Sequence, residues 1–173
     1  MNVVLMGYRG TGKSSVGKKL SRVLRLPFYD TDTLIEKLAG KTIQEMVAEM
    51  GWGGVREKER EVIKGLATVT ESVIATGGGA VMDQKNADIL KKNGVLIWLT
   101  ADTGTIIGRM KADAGGVKKR PPLSGDDLLQ ETVKALDERM PVYRRLADFS
   151  IDTTGKGIDE IVTQICRFLE KRV

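Results

Sequence analysis

The chain has 173 residues, 41% hydrophobic and 29% charged, which fits one ordinary globular domain with a buried core rather than a disordered chain. Its net charge of +5 is spread among acidic residues and aromatics make up only 5%, so a nucleic-acid partner is not expected, whereas small anionic substrates suit the excess positive charge. With no histidine and one cysteine, Cys166, the sequence excludes Ser-His-Asp catalysis, most zinc sites and any internal disulfide, and no apolar run approaches the roughly 20 residues of a membrane span.

The chain starts directly on an apolar run, Asn2–Met6, without the basic and apolar leader of a signal peptide. That run predicts a short buried strand. Behind it stands Gly7-Tyr8-Arg9-Gly10-Thr11-Gly12-Lys13-Ser14, which fits the phosphate-binding pattern G-x-x-x-x-G-K-[ST] at every fixed position. An amphipathic stretch carrying Val16, Leu20, Val23 and Leu24 follows and predicts a helix. Strand, glycine loop and helix form the arrangement that phosphate binding needs. The loop turns backbone N–H groups inward, and the helix N-terminus adds partial positive charge. In that arrangement Gly10, Thr11, Gly12, Lys13, Ser14 and Ser15 would surround the phosphates of a nucleotide. Lys13 reaches the β/γ-phosphates and the Ser14 hydroxyl ligates Mg²⁺.

Further strands are predicted at Pro27–Tyr29, Ser72–Ala75, Gly94–Leu99 and Phe149–Ile151, with helical patterns between them. This alternation predicts an α/β fold, a parallel sheet with helices on both faces. After the second strand, Asp30-Thr31-Asp32 falls at the carboxyl edge of the sheet beside the nucleotide loop. One carboxylate can support Mg²⁺ through water and the other can take a proton from a hydroxyl. Alternatively, Asp32 caps the next helix, with Thr33 and Glu36 forming a capping box. Thr76-Gly77-Gly78-Gly79 follows the third strand at the same edge. It is either a tight turn or a place where a ligand approaches the backbone closely. Residues 112–126 contain Gly115-Gly116, Lys118-Lys119-Arg120 and Pro121-Pro122, the composition of a closing lid or of a surface loop. Taken alone, Arg56 and Arg144 read as solvated helix charges. Cys166, beside Ile165 and Phe168, reads as a structural thiol.

Taken in order, Gly7–Ser14, Asp30-Thr31-Asp32, Arg56 with Glu59, Gly77-Gly78-Gly79, Arg120-Pro121 and Pro141-x-Tyr143-Arg144-Arg145 resemble the shikimate kinases over nearly the whole length. The resemblance implies a three-layer α/β/α P-loop NTPase fold in a single domain, 1–173, with a five-stranded parallel sheet ordered 2-3-1-4-5. A substrate-binding segment would span about residues 31–60 and a lid residues 112–126. The implied activity is transfer of the ATP γ-phosphate to the 3-hydroxyl of shikimate, in the route to chorismate and the aromatic amino acids. Asp32 matches the carboxylate that binds the accepting hydroxyl, and Asp30 one that supports Mg²⁺. Arg56 and Arg144 match the pair that grips the shikimate carboxylate. Gly78, with Gly79, matches a backbone contact to substrate, and Arg120 the arginine that closes over the nucleotide phosphates. Lys156 stands where some members place an arginine near adenine. Trp52 and Val55 depart from the pattern, which has an acidic residue near position 52 and an aromatic just before the arginine.

The expected partners are therefore ATP and shikimate, with no nucleic acid and no membrane, for a cytoplasmic monomer. Competing readings are another small-molecule kinase, for gluconate or a nucleoside monophosphate, and a nucleotide-dependent binding module. A guanine-reading Asn-Lys-x-Asp motif is absent.

Overall fold

The computed structural model describes residues 1–113 and 127–172. The expected lid and its Arg120 lie outside the described residues, apart from Ala112 and Asp113. Strand β1 (Asn2–Met6) is buried along its whole length. It shows no polar alternation because helices cover both faces of the sheet. Side chains alternate across a strand, so Val3 and Leu5 join one core layer with Val16, Leu20, Ile161 and Ile165. Val4 and Met6 join the other with Ile63, Leu90, Tyr143 and Leu146.

The remaining strands are β2 (Phe28–Asp30), β3 (Val73–Ala75), β4 (Gly94–Thr100) and β5 (Phe149–Asp152). All pair in parallel, in the order β2-β3-β1-β4-β5 expected from the sequence. Helices α1 (Lys13–Leu24) and α7 (Ile158–Glu170) cover the Leu5 face. Helices α3 (Ile43–Gly65), α4 (Gln84–Lys92) and α6 (Leu128–Leu146) contribute to the Val4 face. Helix α2 (Thr31–Ala39) packs on α3 through Ile35, Ile43, Met46 and Val55. Helix α5 (Thr103–Ala112) meets α6 through Ile106, Met110 and Ala135. No helix among the described residues is long and apolar enough to cross a membrane.

Two local expectations are revised. Strand β2 runs to Asp30 rather than Tyr29, and Asp30, not Asp32, caps α2. Its Oδ1 accepts from the backbone N–H groups of Asp32 at 3.1 Å and Thr33 at 3.4 Å. The capping box sits one helix later. There Thr42 N–H donates to Glu45 Oε2 at 2.7 Å and Glu45 N–H to Thr42 Oγ1 at 3.2 Å. Glu36 instead accepts from Ile43 N–H at 3.1 Å, joining α2 to α3. The capping role thus falls to the residue at the strand end, and Asp32 sits within the first turn of α2. Helix α3 breaks at Gly51 (φ 68°, ψ 179°), which redirects the segment carrying Trp52, Val55 and Arg56.

The central layer tolerates little loss of volume. Leu5 is fully buried between the β3 and β4 ladders. Leu5→Ala is expected to lower the unfolding free energy by about 2–5 kcal/mol, read from the urea denaturation curve.

Candidate active site

The phosphate loop joins β1 to α1. Gly12, at the N-cap, has φ 94°, a conformation that an L side chain would strain. No side chain caps α1, so its first N–H groups are available to an anion. Lys13 is buried, and its Nζ donates to the Tyr8 carbonyl at 2.7 Å, as does Thr11 Oγ1 at 2.7 Å. On the other side, Arg109 braces the loop. It donates to Gly10 O at 3.3 Å, to Thr153 Oγ1 at 2.9 Å and to Thr153 O at 2.8 Å. The loop opens into a cavity of about 1800 Å³, open solvent included, whose wall also holds Ser15, Asp30, Asp32, Arg109 and Lys156. Lys156 is half-buried, and its Nζ donates to the Asp152 carbonyl at 2.6 Å. Ser14 Oγ donates to Asp30 Oδ2 at 2.5 Å, so a hydroxyl and a carboxylate meet at the mouth of the phosphate cradle.

Beside it lies a smaller cavity of about 460 Å³, open solvent included. Its floor is Gly77-Gly78-Gly79, held from three sides. Gly77 N–H donates to Thr31 Oγ1 at 2.9 Å, Ala80 N–H donates to Gly77 O at 3.1 Å, and the buried Tyr143 hydroxyl donates to Gly78 O. Burial pushes the Tyr143 hydroxyl up to about 12, against the opposing charge of Arg139, so it remains a donor at neutral pH. A Cβ at Gly79 would stand 2.2 Å from Arg56 Nη2, so glycine is needed there for the guanidinium to lie over the turn. Arg56 is fixed by Glu59, 2.7 Å from Nη1, and lies 5.5 Å from the Trp52 ring centre. Arg139, from α6, lies against Gly78 and 5.5 Å from the Tyr8 ring centre.

The structure brings most of the expected residues together. Gly10, Thr11, Gly12, Lys13, Ser14, Ser15, Asp30 and Lys156 line the larger cavity. Arg56, Gly78 and Gly79 line the smaller one, and Asp32 lines both. Arg144 is the exception. It is exposed and lines neither cavity, and the arginine of α6 that enters the smaller one is Arg139. Five helical positions separate them, which turns Arg144 about 140° away from Arg139. The buried Tyr143 carried the missing signal, because the residue four positions before it shares its face. Beyond the expected residues, Arg9 and Glu59 line the smaller cavity, and Arg9 and Arg109 the larger one.

Glu59 is buried, and that burial raises its carboxyl above the usual glutamate range even though Arg56 pulls the other way. A carboxyl whose value is raised in the folded state stabilises the fold below its unfolded value. That contribution is lost as pH climbs through the raised folded value. The unfolding free energy of the wild type relative to Glu59→Gln should therefore fall as pH rises above the ordinary value of 4.5. Paired urea titrations from about pH 4 to about pH 7 check this, and a flat difference would contradict the burial effect.

A family model described as shikimate kinase matches residues 9–170. The chain is 47% identical over 174 residues to a shikimate kinase of Syntrophus aciditrophicus (strain SB), covering 96% of this chain and 89% of that one. Its fold superposes on a structure described as shikimate kinase from Acinetobacter baumannii in complex with shikimate. That match has a TM-score of 0.92 at 30% identity and covers 99% of this chain and 93% of the other. A shikimate kinase structure from Bacteroides thetaiotaomicron matches with a TM-score of 0.87 at 30% identity, over 98% of both chains. By motif order, fold and sequence, the chain belongs to the shikimate kinase family.

Proposed function

We propose that this protein transfers the γ-phosphoryl group of ATP to the 3-hydroxyl of shikimate, giving shikimate 3-phosphate and ADP. The observation that carries this reading is the junction of the two cavities at Asp32. One cavity holds the phosphate cradle, and the other holds two arginines suited to a carboxylate. Shikimate is a small polyhydroxylated carboxylate, and a planar guanidinium matches a carboxylate with charge-assisted bonds.

The roles follow from placement. Lys13 exchanges its Tyr8 carbonyl for the β/γ-phosphate oxygens when nucleotide enters. Asp32 accepts the hydrogen bond, then the proton, of the attacking hydroxyl. Arg56 and Arg139 hold the shikimate carboxylate, with Glu59 fixing the first and the Tyr8 ring supporting the second. Gly78 and Gly79 let the sugar-like ring lie against the backbone. Arg109 and Lys156, which also line the larger cavity, are available to the nucleotide. Arg120 retains its proposed role over the phosphates as an inference from the motif.

Mg²⁺ fits the pair Ser14 and Asp30. This ion takes few protein ligands and completes its shell with water and phosphate oxygens. When bound it neutralises charge on the β- and γ-phosphates.

A coupled ADP-release assay with MgATP tests the reaction directly. Release should depend on shikimate, with a phosphorylated product by mass spectrometry. Turnover with gluconate or a nucleoside monophosphate instead would defeat the assignment. Within that assay, Arg139→Ala should weaken shikimate binding by about 2–5 kcal/mol, the range for leaving a buried charge unpaired. Arg144→Ala should leave the shikimate KM within about twofold of wild type, as for a surface charge. The reverse pattern would return the carboxylate contact to Arg144.

A further inference from the structure

Transfer has to occur where the nucleotide and acceptor cavities meet. Three residues line both, Arg9, Asp32 and Ile43, and only the first two bring polar side chains. Asp32 already has a role there. Arg9 occupies a variable position of the phosphate-loop pattern, which specifies only glycine, lysine and hydroxyl positions. Its side chain is 12% exposed.

The arrangement around Arg9 is incomplete as a structural tie. Nη2 donates to Glu131 Oε1, on α6, in a buried ion pair. Arg9 Nε and Glu131 Oε2 are both buried and have no hydrogen-bond partner among the described residues. A fork-to-fork pairing would have used both edges. Instead Glu131 holds one corner of the guanidinium. Tyr8 supports its plane, with Arg9 5.7 Å from the ring centre.

We propose that Arg9 is a catalytic residue whose guanidinium engages the phosphoryl group in flight. This rests on reading the two cavities as nucleotide and acceptor sites. In the step, the bond between the γ-phosphorus and the bridging oxygen breaks, and its electron pair stays on ADP. The acceptor oxygen forms the new P–O bond, and its proton passes to Asp32. Negative charge spreads over the three equatorial oxygens and the leaving oxygen meanwhile. A fixed cation at the junction, shielded from water, stabilises that charge more than it does either ground state.

The test compares wild type, Arg9→Met, Arg9→Lys and Glu131→Gln with MgATP and shikimate. Two readouts are used: kcat, and the gain in ADP affinity when aluminium fluoride and shikimate are added together. Arg9→Met should lower kcat by about 100-fold or more and abolish most of that gain. Its affinity for ADP alone should stay within about threefold of wild type, since the contact forms only during transfer. Glu131→Gln keeps the guanidinium and should keep most of the gain, even where its melting temperature falls.

Arg9→Met with kcat and gain near wild type would overturn the inference. So would Glu131→Gln losing as much as Arg9→Met, which is the signature of a structural tie. Should Arg9→Met fail to fold, Arg9→Lys decides on the same readouts. It retains charge without the planar fork and should lose about tenfold or more in kcat, and wild-type turnover would overturn the assignment. Wild-type ADP release indifferent to shikimate would overturn the acceptor reading and this inference with it. Failure confined to the variants overturns Arg9 alone.

Discussion

The parallel pairing of β1 on both its edges holds the site together. Leu5 stands opposite Ala75 on one side and Ile97 on the other. Because every strand runs the same way, the chain leaves β1, β2 and β3 at one edge of the sheet. The phosphate loop, Asp30 and the glycine turn are therefore neighbours although far apart in sequence. The ladder extends past β3, with Thr76 N–H donating to Leu5 O at 3.0 Å. Thr31 Oγ1 then fixes Gly77. A slip of one residue in this register would exchange the two core layers and move the glycine turn off Asp32.

On that frame the smaller cavity gathers three arginines, Arg9, Arg56 and Arg139, a costly arrangement in a partly dry space. The structure offsets it locally. Arg56 has Glu59 and the Trp52 ring, Arg9 has Glu131, and Arg9 and Arg139 share the Tyr8 ring. A cation over an aromatic face gains about 0.5–2 kcal/mol, more as water is excluded. These partners let the cations stand without ligand yet leave donor positions unused. Trp52 Nε1 is buried without a partner among the described residues, as is Arg9 Nε. Burial raises the Glu59 carboxyl above the usual glutamate range, against the pull of Arg56.

Much of this was legible in the sequence because it depends on spacing. Strand, glycine loop and helix are contiguous, and the alternation of apolar runs gives a parallel sheet whose carboxyl edge collects Asp30, Asp32 and Gly77–Gly79. What could not be read depends on rotation and on contacts across the fold. Arg139 and Arg144 sit on one helix, and only the helical phase anchored by the buried Tyr143 separates them. Asp30 and Asp32 compete for one cap, and the end of β2 decides between them. Glu59 reads as one charge among many on α3 until the break at Gly51 and the glycine turn enclose it.

Arg9 belongs to the same class, and it clarifies how one short loop serves two sites. In Gly7–Ser14, residues Gly10, Thr11, Gly12, Lys13 and Ser14 line the larger cavity. Of the variable positions, Tyr8 lines the smaller cavity and Arg9 lines both. Phosphate binding constrains the backbone and leaves those side chains unspecified, so they can be matched to the second substrate without disturbing the cradle. The Tyr8 carbonyl joins the two halves, since it receives Lys13 on the nucleotide side while the ring of the same residue carries Arg9 and Arg139.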